Sequence, residues 1–209
     1  MKTISTKIVI FLAVALAALP GVTHAQTVGS LEISAWIPYW RAQEGVESIR
    51  PQLGKFTEVN PFVYAVKQDG SLSEVSSLSD PAWVNLRTLA AEMNVKFIPT
   101  VMWANPDAID DILRNPTKRQ EHIRSIAQAV YANRLDGIDI DYEAKKADTK
   151  IYFSAFLRDL YKAMGKKIVS CTIETRIPLA DRFVKIPKDT RYANDFGAIN
   201  KYCDRVRIM

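Results

Sequence analysis

The chain has 209 residues and carries 28 Lys and Arg against 23 Asp and Glu, a net charge of +5. That excess is too mild to point to nucleic acid as a partner. No linker, low-complexity tract or internal charge block divides the sequence, so a single domain follows the leader.

Residues 1–25 read as a cleavable secretory signal. Lys2 and Lys7 precede or flank the start of an apolar stretch from Ile8 to Leu19, and Thr23-His24-Ala25 stands before Gln26. Losing Lys2 and Lys7 with the leader takes the net charge from +5 to +3. The stretch is too short for an ordinary membrane span, and no later segment approaches about 20 apolar residues. The expected mature protein, residues 26–209, is therefore soluble, free of the membrane, and secreted or associated with the cell wall.

Apolar runs recur at Leu31–Ile37, Pro61–Val66, Val95–Trp103, Leu135–Glu143, Lys167–Ile173 and Asp204–Met209. Helical patterns lie between them. Asp80 before Pro81 predicts a helix start, followed by a stripe of Leu86, Leu89, Ala90 and Met93. Thr117 and Gln120 form a capping box ahead of Ile123, Ile126, Ala127 and Val130. A third stripe of Phe153, Phe156, Leu157, Leu160 and Met164 ends at Gly165. Strand and helix alternate throughout, which predicts an α/β fold with a parallel sheet buried on both faces.

The densest signal is Asp136-Gly137-Ile138-Asp139-Ile140-Asp141-Tyr142-Glu143. In a strand, successive side chains point to opposite faces, so Asp139, Asp141 and Glu143 form one column while Ile138, Ile140 and Tyr142 line the other side. Tyr142 is then expected to pack under a helix, and Asp136, of the other parity, to be structural. Like charges stacked in a poorly solvated place repel, so the column should retain a proton near neutral pH and can supply a general acid. A calcium loop would need Gly and Glu at the sixth and twelfth positions, but counting from Asp139 those are Ala144 and Lys150. The histidines, His24 and His122, are remote from the motif, and no metal is assigned.

Asp-Gly-Ile-Asp-Ile-Asp-Tyr-Glu resembles the Asp-x-x-Asp-x-Asp-x-Glu signature of glycoside hydrolase family 18 at every defined position. The resemblance implies a (β/α)8 TIM barrel with this segment as its fourth strand. It also implies Glu143 as the acid on the glycosidic oxygen, Asp141 as partner of the substrate's acetamido group, and Asp139 tuning Asp141. Asp136 and Gly137 complete the motif structurally. The implied mechanism is substrate-assisted retention, with the acetamido oxygen attacking the anomeric carbon and no cofactor or metal required. Tyr39 and Trp40 after the first strand, and Trp103 after the third, are candidates for stacking on sugars. Trp103 reads equally as core, and Tyr64 is left undecided.

The chain departs from that family in two respects. The Ser-x-Gly-Gly pattern many members carry on the third strand is replaced by Phe97-Ile98-Pro99-Thr100-Val101-Met102-Trp103, so the likeness is to a divergent bacterial branch that includes wall-lytic enzymes. The sequence also supplies about six of the eight strands a barrel needs. The expectation is an incomplete barrel, the amino-terminal portion of a longer gene product, with little activity from residues 26–209 alone. Three functions are weighed: a secreted hydrolase of β-1,4-linked N-acetylglucosamine polymers, a peptidoglycan or spore-wall hydrolase of the same mechanism, and a non-catalytic chitinase-like binding protein. A monomer is expected. Arg176, Arg182, Lys185, Lys188 and Arg191, opposed by Asp181 and Asp189, read as a solvated loop or as a cationic rim favouring an anionic wall polymer. Cys171 and Cys203 either bridge in an oxidising compartment or remain as two buried thiols.

Overall fold

The computed structural model describes residues 31–175, 179–182, 184–186 and 191–209. The expected leader and the side chains of Arg176, Arg182 and Lys188 lie outside the described residues. Strands β1 (Ser34–Ile37), β2 (Glu58–Val66), β3 (Leu72–Glu74), β4 (Lys96–Phe97), β5 (Thr100–Trp103), β6 (Gly137–Tyr142), β7 (Ile168–Ile173) and β8 (Arg205–Ile208) form one sheet in the order β1-β2-β5-β6-β7-β8. Every neighbouring pair along that order is parallel. Parallel neighbours need long crossovers, and helices supply them: α1 (Ala42–Ile49), α2 (Pro81–Glu92), α3 (Pro106–Arg114), α4 (Pro116–Ala132), α5 (Lys150–Met164), the short turn α6 (Leu179–Arg182) and α7 (Phe196–Tyr202). The result is a curled sheet of six parallel strand positions, part of the (β/α)8 barrel expected from the sequence.

Two features of the sheet were not anticipated. β4 and β5 are one strand position broken at Ile98-Pro99, because Pro99 has no N–H for the ladder. Asn60 compensates, its side-chain amide donating to the Ile98 carbonyl at 2.9 Å. β3 folds back antiparallel on β2 through a turn in which Gly70 adopts φ +86°.

The helix starts follow the sequence with two corrections. α2 begins at Pro81 as expected, but the Asp80 carboxylate does not cap it. It accepts from Ser76 Oγ at 2.7 Å instead, and that hydroxyl accepts from Trp83 Nε1 at 2.8 Å. The Thr117–Gln120 capping box does not form. Asn115 caps α4, accepting from the Thr117 and Lys118 N–H groups, and Pro116 takes the first helical position. Gln120 reaches across to Asp159.

Polar residues at strand entries fix the register. Asp136 accepts from the Phe97 N–H at 2.9 Å just before β6, and Asp204 accepts from the Val169 N–H at 2.9 Å just before β8. Cys171 and Cys203 form a disulfide, which settles the alternative the sequence left open. Closing a 32-residue separation contributes about 3 to 4 kcal/mol on a chain-entropy account.

The helix-facing side of β6 is apolar and fully covered: Ile138, Ile140 and Tyr142 are all buried. Tyr142 stacks on Phe156 of α5 at 5.4 Å, as its parity required. Its hydroxyl donates to His122 Nε2 on α4, and His122 Nδ1–H donates to the Gly70 carbonyl at 2.6 Å. One neutral tautomer satisfies both bonds, tying the β2–β3 turn to the centre of the sheet. Burial pulls His122 down to about 4. The unfolded chain binds the His122 proton below about pH 6.5 while the folded protein does not, so stability present above that pH drains away as the pH falls towards 4. The loss should reach about 3 kcal/mol. Urea denaturation of the wild type and His122→Gln side by side isolates this contribution: the stability difference between them should change by about 3 kcal/mol between pH 7 and pH 4.5, the wild type losing ground as the pH falls.

Candidate active site

Asp136, Gly137, Asp139, Asp141 and Glu143 occupy one strand and its end, and the sheet register decides what each meets. Asp139 lies level with Thr100 and Ser170, and Asp141 with Met102 and Thr172. Gly137 is required by its neighbour, since a Cβ there would sit 2.3 Å from the Ile168 carbonyl oxygen. Asp136 faces away from the column and serves the strand entry described above.

Asp139 is wholly buried at the centre of the concave face. Its Oδ2 accepts from Trp36 Nε1 at 3.2 Å and from Thr100 Oγ1 at 3.0 Å. Its Oδ1 accepts from Arg207 Nη1 at 2.8 Å, and Thr172 Oγ1 lies 3.2 Å from both oxygens. Burial pushes the carboxyl up, and the donors from Trp36, Ser170, Thr100 and Thr172 oppose that rise. The guanidinium acts in the same sense as those donors.

Asp141 differs from Asp139 in that its Oδ1 is buried with no hydrogen-bond partner among the described residues. Burial first, then the charges of Glu143 and Asp139, push its carboxyl up to about 7. It is therefore a proton-holding group at neutral pH, as the stacked column requires. Glu143, half-buried, follows the last strand residue, and its N–H donates to the Trp103 carbonyl at 2.8 Å. The chain then turns sharply. Ala144 adopts φ +54°, and its N–H donates to Glu174 Oε1 at 2.9 Å. Lys145 folds beneath, donating to the Tyr142 carbonyl and lying over the Phe153 ring at 4.8 Å. Burial pulls its ammonium down, while Glu174, Asp141 and Glu143 resist the shift.

Asp141 and Glu143 open onto a cleft of about 580 Å³, lined also by Trp40, Phe62, Met102, Ala104 and Asn105. Trp40 is 65% exposed, meets Tyr39 edge-on at 5.0 Å and leans towards Phe62 at 6.5 Å, so one ring face remains available. Tyr39 flanks it rather than lining the cleft. Trp103 needs correction as a stacking candidate. It is 4% exposed, packed edge-on against Tyr142 at 5.2 Å and beside His122 at 5.3 Å, with only an edge at the cleft. The break at Pro99 leaves Met102, not Trp103, on the concave face beside Asp141. Tyr64 is buried away from the cleft, near Asn133. Of the basic segment, Lys185 is exposed and Arg191 pairs with Asp148 at 3.0 Å.

Residues 35–209 match the family model for glycosyl hydrolases family 18. The chain belongs to that family. The fold is similar to that of the Bacillus cereus spore cortex-lytic enzyme SleL (TM-score 0.66, 21% identity, 85% of this chain and 40% of that one). It is also similar to chitinases from Chromobacterium violaceum ATCC 12472 (0.67, 15%, 86% and 56%) and Bacteroides thetaiotaomicron (0.64, 24%, 86% and 54%). The chain thus spans roughly half the length of these structures. No curated protein sequence matches it.

Sequence reasoning overlooked several groups that this family 18 chain brings to the site: Trp36, Glu58, Lys145, Glu174, Arg205 and Arg207. For the two arginines a signal existed, since Arg205-Val206-Arg207-Ile208 alternates just as the acidic strand does. Trp36 and Glu174 needed the register. Because Asp141 is protonated more readily in the folded protein than in the unfolded chain, it costs stability as the pH rises from about 4 to 7. Asp141→Asn should therefore stabilise the protein by about 2 to 4 kcal/mol at pH 8 and leave it unchanged at pH 3.5, as read by chemical denaturation.

Proposed function

We propose that this protein is a secreted, retaining glycoside hydrolase that cleaves β-1,4-linked N-acetylglucosamine polymers by substrate-assisted catalysis. The observation that carries the reading is the pairing of Glu143, at the strand's carboxyl end, with the buried and unpartnered Oδ1 of Asp141. An unsatisfied buried acceptor invites a donor, and the acetamido N–H of a bound sugar is one. Glu143 donates its proton to the leaving glycosidic oxygen as the substrate's acetamido oxygen attacks the anomeric carbon. Asp141 holds the acetamido group and stabilises the positive charge that develops on it. Glu143, now a carboxylate, takes a proton from the incoming water as the sugar is released. Trp40 offers the pyranose a flat apolar face at the cleft.

The buried Cys171–Cys203 disulfide supports an oxidising destination, in keeping with the leader at residues 1–25. Peptidoglycan is the second substrate reading, favoured by the similarity to a spore cortex-lytic enzyme. A non-catalytic binding role is disfavoured by the retained Glu143. In the full-length gene product, Glu143→Gln should lower turnover by about a thousandfold while chito-oligosaccharide binding persists. Parallel zymograms on glycol chitin and peptidoglycan would rank the two polymers. Retained hydrolysis by the Gln variant would overturn the reading.

A further inference from the structure

Glu143 sits where β6 ends, and charged side chains hold the peptide units on both sides of it. Its own N–H donates to the Trp103 carbonyl at 2.8 Å. The carbonyl of that same peptide unit, belonging to Tyr142, accepts from the Lys145 ammonium. The next N–H along, that of Ala144, donates to Glu174 Oε1 at 2.9 Å. A cation therefore grips the backbone before the acid and an anion the backbone after it. Hydrogen bonds to ionised groups are stronger than those between neutral ones. The cleavage chemistry described above uses neither group.

Both grips are themselves anchored. The β6–β7 register pairs Asp139 with Ser170 and Asp141 with Thr172, and carried two positions further it sets Glu174 level with Glu143. The peptide units around Glu174 stay in the ladder, since the Met209 N–H donates to the Ile173 carbonyl and the Thr175 N–H to the Met209 carbonyl, both at 3.0 Å. Lys145 is 8% exposed and lies over the Phe153 ring of α5. Burial works against its charge, and Glu174, Asp141 and Glu143 support it. Between the two grips Ala144 holds φ +54°, a conformation that a residue with a Cβ takes reluctantly, so the bend depends on the bond that Glu174 accepts.

We infer that Glu174 and Lys145 are positioning residues that together fix the backbone of Glu143, and with it the aim of the acid at the glycosidic oxygen. Both act through that backbone and not on the substrate. The inference deepens the hydrolase reading and rests on it for its catalytic meaning. A displacement of about 1 Å in a reacting group can cost about a hundredfold in rate, so a loosened bend is enough to matter.

The test compares two substrates of the full-length gene product. The aim of a proton donor counts most when the leaving oxygen belongs to a sugar, and least when it belongs to a nitrophenolate, which departs without a proton. Glu174→Ala should lower kcat/KM about thirtyfold on chitotetraose and less than about threefold on 4-nitrophenyl chitobioside. Glu174→Gln keeps an oxygen that can accept from Ala144 and should stay within about threefold of the wild type on both. Lys145→Met keeps an apolar stem over Phe153, loses the donor, and should reproduce the selective loss. Equal losses on the two substrates would show a merely structural role and overturn the inference, as would a Glu174→Gln variant no better than Glu174→Ala. Should Glu174→Ala fail to fold, Glu174→Asp, with its carboxylate drawn back by one methylene, takes its place under the same criteria.

Hydrogen exchange at the Ala144 amide, followed by NMR on the same proteins without substrate, reads the grip directly. Glu174→Ala should exchange about tenfold faster than the wild type and Glu174→Gln at nearly the wild-type rate. Unchanged exchange in a folded Glu174→Ala protein would overturn the inference whatever the activity. A wild type that hydrolyses neither substrate would remove the hydrolase reading and the catalytic role with it, and faster exchange in Glu174→Ala would still uphold the grip on the bend.

Discussion

A carboxyl group placed at the centre of a curled sheet must find partners there, because water is excluded and an unpaired buried charge is costly. Asp139 meets that demand by drawing on nearly every strand position. Trp36 comes from β1, Thr100 from β5, Thr172 from β7 and Arg207 from β8, while Glu58 of β2 joins through Arg207. The curvature that brings these groups within reach of one carboxylate also sets Asp141 and Glu143 at the mouth of the cleft. Fold and candidate chemistry therefore depend on the same buried acid.

The two faces of β6 do different work with equal economy. The concave face is polar and pairs charge with charge. The outer face is aromatic, with Tyr142 wedged among Trp103, His122, Phe153 and Phe156. A single hydrogen-bonded line, Tyr142 to His122 to Gly70, then joins that aromatic layer to the β2–β3 turn. Rigidity on the outer face keeps the inner column in register, since both are carried by the same backbone.

Much of this was legible in the sequence. The acidic strand's alternation gave the correct faces for Asp139, Asp141 and Tyr142, and the spacing of apolar runs gave the parallel sheet. Periodicity could not see local substitutions of one device for another. Asn115 outcompeted Thr117 as a cap because Pro116 favours the first helical position and shifts the helix start upstream. Trp103 stayed open between cleft and core because a proline immediately before Thr100, where β5 begins to pair with β6, interrupts the strand and hides which face its side chains take. Arg207 was missed because its partners, Asp139 and Glu58, are far away in sequence, and only the sheet's curvature brings them together.

Ala144 follows Glu143 at once, in a left-handed conformation that L-residues adopt reluctantly, with Glu174 holding its N–H. A bend fixed at that point isolates whatever comes after it. Changes in composition between residues 146 and 148, ahead of the buried Thr149, would be absorbed beyond the bend rather than passed back along the strand to Glu143. The segment after the bend can thus vary while Glu143 keeps its place, which separates the part of the molecule that can diversify from the part that cannot.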